Sequence, residues 1–173
     1  SNAVALNSCT AALHLSLLAA DLGPDAEVVT TPLTFCATVN AIIHAGATPV
    51  LADVDPATMN IDASEIERRI TPRTRAIVPV HFAGRACNMN AIMDIARRHG
   101  LKVIEDCAHA IETEYKGQKA GTFGDFGCFS FCISQFCSLI AQEFFRFLAA
   151  RSCLVQGFID VFGSFIENAR NSF

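Results

Sequence analysis

Continuous apolar runs alternate with amphipathic stretches along most of the chain. Glu27-Val-Val-Thr-Thr31, Thr48 to Val54, Arg75 to His81 and Lys102 to Glu105 read as strands. Their apolar residues run together instead of alternating, as they do where both faces of a strand are buried. Helical spacing fills the gaps: Phe35 to His44, closed by Gly46; Asp62 to Ile70, with Asp62 or Ser64 near its start; and Asn88 to His99, ended by Gly100. Ahead of these, Leu13, Leu17, Leu18 and Ala20 keep helical spacing, with Ser8 or Thr10 as N-cap and Gly23-Pro24 as the stop. Glu114-Tyr-Lys-Gly-Gln-Lys-Ala-Gly121 carries a hairpin signal, and the apolar strand after it holds Ser130. The alternation predicts an α/β fold: a mostly parallel sheet with helices on both faces and right-handed crossovers.

After Phe131 the pattern changes. Most of the 14 Phe lie towards the end of the chain, including Phe136, Phe144, Phe145, Phe147, Phe158, Phe162, Phe165 and Phe173. Ser134 to Ala150 and Val155 to Ala169 read as helices. The stretch from Phe126 to Gln142 has no charge but is shorter than the roughly 20 residues of a membrane span. An apolar patch that seeks a partner is the expectation for it. Two parts are therefore expected, 1–131 as a domain and 132–173 as a Phe-rich helical tail.

Composition removes several classes. The net charge is -4 and no basic stripe is visible, which argues against nucleic-acid binding. The eight cysteines never form Cys-x-x-Cys, and Cys128 and Cys132 have no histidine near them, so buried free thiols are expected and no metal site. No signal-peptide pattern opens the chain, and a cytoplasmic location is expected. The first strand is not followed by Gly-x-Gly-x-x-Gly, so the dinucleotide fingerprint is missing.

Candidate chemistry gathers where a strand ends. Asp106 closes an apolar run and His109 follows three residues later, at the carboxyl edge where open parallel sheets bind ligands. A lone carboxylate there also serves as an ordinary cap. The helix start at Cys9, Thr10 and Ala11 presents free N–H groups and a positive dipole end, either an anion site or a plain cap. Phe35 is suited to stacking on a flat cofactor or to filling the core. His81 ends a strand and faces either the core or the ligand edge, and His44 reads as a helix-end residue.

Taken together, Asn7-Ser-Cys-Thr-Ala-Ala-Leu-His-Leu15, Thr31-Pro-Leu-Thr-Phe-Cys-Ala-Thr38, Gly46-Ala-Thr-Pro-Val-Leu-Ala-Asp-Val54, Ile77-Val-Pro-Val-His81, Val103-Ile-Glu-Asp-Cys-Ala-His-Ala110 and Gly121-Thr-Phe-Gly-Asp-Phe-Gly-Cys-Phe-Ser-Phe131 resemble the DegT/DnrJ/EryC1/StrS family of pyridoxal-phosphate-dependent sugar aminotransferases. The resemblance implies part of the large domain of a fold-type I aminotransferase. It implies amino transfer to a nucleotide-linked keto-sugar from an amino-acid donor, for cell-surface polysaccharide or antibiotic sugars, in a homodimer. By that likeness Thr10, with the N–H groups of Cys9 to Ala11, resembles the phosphate cradle and Ser130 a further phosphate ligand. Phe35 resembles the aromatic stacked on the ring, Asp106 the partner of the ring nitrogen, and His109 the polar residue beside the cofactor.

One departure stands out. Gln135 occupies the position of the family's cofactor-bound lysine, and an amide neither bonds covalently to the cofactor nor shuttles a proton. The chain's lysines, Lys102, Lys116 and Lys119, all lie upstream. The family's small C-terminal domain is not matched, so a fragment or frame-shifted product, inactive as it stands, is expected. Three other readings follow: a non-catalytic cofactor- or ligand-binding remnant, a partner-docking protein using the Phe-rich tail, and a sugar dehydratase-like variant. Gln135 also lacks the base that the last of these needs.

Overall fold

The computed structural model describes residues 3–131. The helices expected at 134–150 and 155–169, Gln135 and the tail as a whole lie outside the described residues.

Within them, strands and helices follow in the order α1 (Cys9–Ala19), β1 (Glu27–Thr30), α2 (Cys36–His44), β2 (Thr48–Leu51), α3 (Ala63–Arg69), β3 (Thr74–Val78), α4 (Met89–His99) and β4 (Lys102–Cys107). A small hairpin of β5 (Glu114–Tyr115) and β6 (Gln118–Lys119) then leads to β7 (Phe126–Phe129). The main sheet has five strands in the order β2-β1-β3-β4-β7, and every neighbouring pair is parallel.

The unbroken apolar runs have the cause expected of them. Val28, Ala76, Val78 and Ile104 face α1 and α2, packing on Leu13, Leu17, Ala41 and Ile42. Their sequence neighbours Val29, Ile77 and Val103 face α3 and α4, packing on Ile66, Met89, Ile92 and Ile95. Each strand therefore presents apolar side chains to both layers, and helices cover both faces of the sheet.

Side-chain caps start three of the helices. Ser8 Oγ accepts from the Ala11 N–H at 3.1 Å, Asp62 from Ser64 and Asn88 from Ala91. Gly100 ends α4 in the left-handed conformation, φ 65°. The end of α1 differs from expectation. The chain reverses at Asp21, φ 57°, ahead of Gly23-Pro24, and the Leu22 N–H returns to the Leu17 carbonyl.

Three strand ends also differ. β2 stops at Leu51, short of Val54, because the chain turns away and Val54 bridges Ile61 in antiparallel fashion. β3 stops at Val78, since Pro79 has no N–H to give the ladder; Val80 resumes it as a single bridge to Asp106. β4 runs past Glu105 to Cys107, because pairing with β7 continues through Asp106–Cys128 and Cys107–Phe129. Pro49 is tolerated within β2 because that strand forms the sheet edge.

Candidate active site

Asp106 lies within β4, close to its carboxyl end, and its side chain is buried. Thr38 Oγ1 donates to its Oδ2 at 2.8 Å, and the Ala108 N–H donates to Oδ1 at 3.1 Å. Thr34 Oγ1 lies 2.7 Å behind Thr38 Oγ1. Among the described residues no lysine or arginine pairs with this carboxylate. Burial pushes Asp106 above the usual carboxylate range, and the bonds from Thr38 and Ala108 and the nearby His109 and His81 offset only part of that. The group is thus a carboxylate held in a fixed plane without a cation to balance it.

His109 follows on the loop beyond β4, near enough to act on Asp106 electrostatically. Its Nδ1 is buried and is the one buried side-chain polar atom among the described residues without a hydrogen-bond partner. Its ring meets Phe82 edge-on, with centroids 6.5 Å apart.

The start of α1 converges on the same place. The Cys9 thiol is pushed well above its ordinary range, by burial first and then by the Asp106 charge and Cys128. Cys128 is the residue paired with Asp106 across β4 and β7, and it is pushed up to about 11 by burial. These thiols therefore remain protonated near neutral pH and are not nucleophiles. At the mouth of α1 the Ala11 N–H is taken by Ser8, while the N–H groups of Cys9 and Thr10, like those of any first turn, have no acceptor within the helix.

Phe35 is at the N-cap of α2 and is 74% exposed, so it is not a core residue. Its carbonyl accepts from the Thr38 N–H, which sets the ring one turn from the residue that holds Asp106. Ser130 directly follows β7, two residues beyond Cys128. Asp106, His109, Cys9 and Phe35 thus belong to one end of the sheet, brought there by β4, α1 and α2.

Thr38 is the neighbour that residue patterns did not single out, although it lies in the first turn of a helix three residues from Phe35. A second omission is Glu105, whose side chain points to the opposite face. Glu105 accepts from His81 Nε2 at 3.0 Å and from the N–H groups of Gly121, Phe123 and Gly124, each at 2.8 Å. His81 is fully buried, and its Nδ1 accepts from the Cys87 N–H, so the ring proton sits on Nε2. His81, Glu105 and Cys107 bring ligand atoms within 4.8 Å of one another. Both histidine nitrogens are already engaged, so this cluster is a hydrogen-bonded knot.

The buried carboxylate thus lies near the carboxyl end of a central strand, the edge where open parallel sheets bind ligands, at the same end of the sheet as the start of α1 and the exposed Phe35. The chain belongs to the DegT/DnrJ/EryC1/StrS aminotransferase family, which it matches over residues 1–135. It is 57% identical over 130 residues to the spore coat polysaccharide biosynthesis protein SpsC of Bacillus subtilis, covering 75% of this chain and 33% of that protein. It is 51% identical over 130 residues to the GDP-perosamine synthase of Caulobacter vibrioides, covering 75% of this chain and 35% of the other. Among solved structures, an aminotransferase from Psychrobacter cryohalolentis superposes with a TM-score of 0.72 at 46% identity, over 72% of this chain and 32% of that one. A putative sugar aminotransferase from Streptococcus pneumoniae, solved in its PLP form, gives 0.71 at 34% identity, over 73% and 36%. The chain thus spans about a third of the length of these relatives, and its sheet is part of a fold-type I large domain.

Proposed function

We propose that this chain is the cofactor-binding part of a PLP-dependent aminotransferase of nucleotide-linked keto-sugars, and that the chain itself binds the cofactor without a covalent bond and does not complete the transfer. The observation that carries the proposal is the Asp106–His109 pair: a buried carboxylate with no lysine or arginine partner beside a buried ring nitrogen with no hydrogen-bond partner, both among the described residues. A protonated pyridine nitrogen satisfies the first, and a polar substituent of the same ring satisfies the second. Bound PLP supplies an electron sink for carbanion chemistry at the amino-acid carbon. In this reading Asp106 holds the ring nitrogen, Phe35 covers one ring face and His109 lies beside the ring. The N–H groups of Cys9 and Thr10 receive the phosphate, with Ala11 continuing that turn and Ser130 adding a hydroxyl. The proposal includes a nucleotide-sugar acceptor, in line with the GDP-perosamine synthase that this chain resembles, together with an amino-acid donor and a homodimer. A cytoplasmic location is proposed with it; no helix among the described residues is long and apolar enough to cross a membrane.

Titration with PLP, followed by ligand fluorescence and urea unfolding, tests the proposal. Saturable binding is expected, with stabilisation of about 2.7 kcal/mol at a hundredfold excess over Kd. Neither saturation nor stabilisation at millimolar PLP would remove the cofactor reading.

A further inference from the structure

We propose that Thr38, backed by Thr34, is a positioning residue for Asp106: a two-hydroxyl relay whose protons both point towards the carboxylate, fixing its plane and keeping it ionised. The inference rests on the cofactor reading above and goes further by assigning the charge state of Asp106 to residues on a different element.

The direction of the relay follows from proton counting. An ionised carboxylate only accepts, so the 2.8 Å contact with Oδ2 uses the single proton of Thr38. The 2.7 Å contact between Thr34 and Thr38 must then use the proton of Thr34. Each donation polarises the next, so the pair holds a negative charge better than one hydroxyl does. Thr38 is buried and sits in the first turn of α2, where the dipole of that helix also favours a negative group. The Ala108 N–H pins the other oxygen, so both ends of the carboxylate are fixed.

Several groups face Asp106 from the elements around it. They are Thr38 from α2, Cys9 from α1, Cys128 from β7 and His109 beyond β4, while His81 and Cys107, in the knot with Glu105 on the other face of β4, interact with it only electrostatically. Burial drives the carboxylate towards its neutral form. Of the opposing influences the Thr38 bond is the largest, ahead of Ala108, His109 and His81. A neutral carboxyl group donates its proton instead, which would reverse the relay and leave nothing to balance a protonated ring nitrogen.

The test uses the full chain with Thr38→Val, Thr38→Ser and Thr34→Val. The Asp106 midpoint is read by carbon-13 carboxyl NMR without cofactor, and PLP affinity is read by fluorescence across pH. Thr38→Val preserves side-chain shape but has no proton to donate. It should raise the Asp106 midpoint by about one pH unit and weaken PLP about threefold midway between the two midpoints, approaching about tenfold below both. The loss should shrink at higher pH, where both proteins are ionised. Thr38→Ser should restore both readings. Thr34→Val, at a less buried site that tolerates change if Thr38→Val fails to fold, should shift both in the same direction by less. An unmoved midpoint in Thr38→Val or Thr34→Val, or equal shifts in Thr38→Val and Thr38→Ser, overturns the relay. Shifted midpoints in a protein that binds no PLP at any pH leave the relay standing and overturn the cofactor reading instead.

Discussion

At the scale of the residue, Asp106 is a group kept against the interest of the fold. Its pKa in the folded protein lies above that of the unfolded chain, so between the two values the native state holds more protons. The stability of the cofactor-free protein therefore falls as pH rises through that window. Asp106→Asn removes the slope. The amide keeps both bonds if its oxygen accepts from Ala108 and its nitrogen donates to Thr38, whose own proton then turns to Thr34. The variant should be more stable than wild type at pH 8, by about 1–3 kcal/mol, with the advantage shrinking towards pH 4. It should also lose PLP binding. Urea unfolding at the two pH values checks the sign; a variant less stable at pH 8 would mean the carboxylate is already well compensated. Such a trade of stability for function is common at sites that await a ligand. The charge of Asp106 and its place at a strand end were legible in the sequence. Its supporting hydroxyls were not, because Thr38 is 68 residues away and only the packing of α2 on the sheet joins them.

At the scale of the element, β4 carries two neighbouring carboxylates with opposite fates, since successive residues of a strand point to opposite faces. Glu105 is fully buried yet its pKa is lowered: burial raises it, but the bonds from His81, Gly124 and Gly121 outweigh that. Its contribution to stability is present above the ordinary carboxylate range and is lost as pH falls through its folded value. Through these bonds Glu105 ties the segment 121–124 to β4 and so sets the register of β7, whose last residue precedes Ser130. Close backbone contact does the rest. A Cβ at Gly127 would lie 2.2 Å from the Gly121 carbonyl oxygen, and Gly121 itself has φ +81°. Gly121, Gly124 and Gly127 recur every three residues in the sequence, but their purpose depends on a carboxylate that a strand reading treats as incidental. Glu105→Gln puts an amide N–H₂ against two donors, the Gly121 N–H and His81 Nε2–H. His81 cannot switch tautomer while Cys87 occupies Nδ1. The expected cost is about 3 kcal/mol at pH 7, and the gap from wild type should narrow in acid. Equal midpoints in urea at pH 7 would show that the knot contributes nothing.

At the scale of the whole molecule, the architecture was legible because two-sided burial writes itself as continuous apolar runs. The strand ends were less so, since they depend on partners: Pro79 breaks the β3 ladder, and β7 extends β4. The candidate site residues were legible only as separate motifs, and the fold brings Asp106, His109, Cys9 and Phe35 to one end of the sheet. It also decides the roles available to the lysines. Lys102 is at the amino end of β4, the far end of the strand from Asp106, and pairs with Asp125 at 2.7 Å. Lys119 pairs with Glu112 at 3.2 Å and Glu114 at 3.0 Å, and Lys116 lies over the Tyr115 ring at 5.2 Å. Lys116 and Lys119 thus belong to the hairpin and Lys102 to the opposite edge of the sheet, so none stands beside Asp106. Covalent attachment of an aldehyde cofactor needs an amine held against it, and an exposed lysine on a remote element reacts only as any surface amine does. Borohydride reduction of the 173-residue chain with PLP, followed by peptide mass spectrometry, should therefore give no site-specific adduct, although the same sample shows saturable binding before reduction. PLP should also leave completely on dialysis. One stoichiometric adduct on Lys102, Lys116 or Lys119 would mean that the lysine reaches the Asp106 site, and the non-covalent reading would fall while cofactor binding stood.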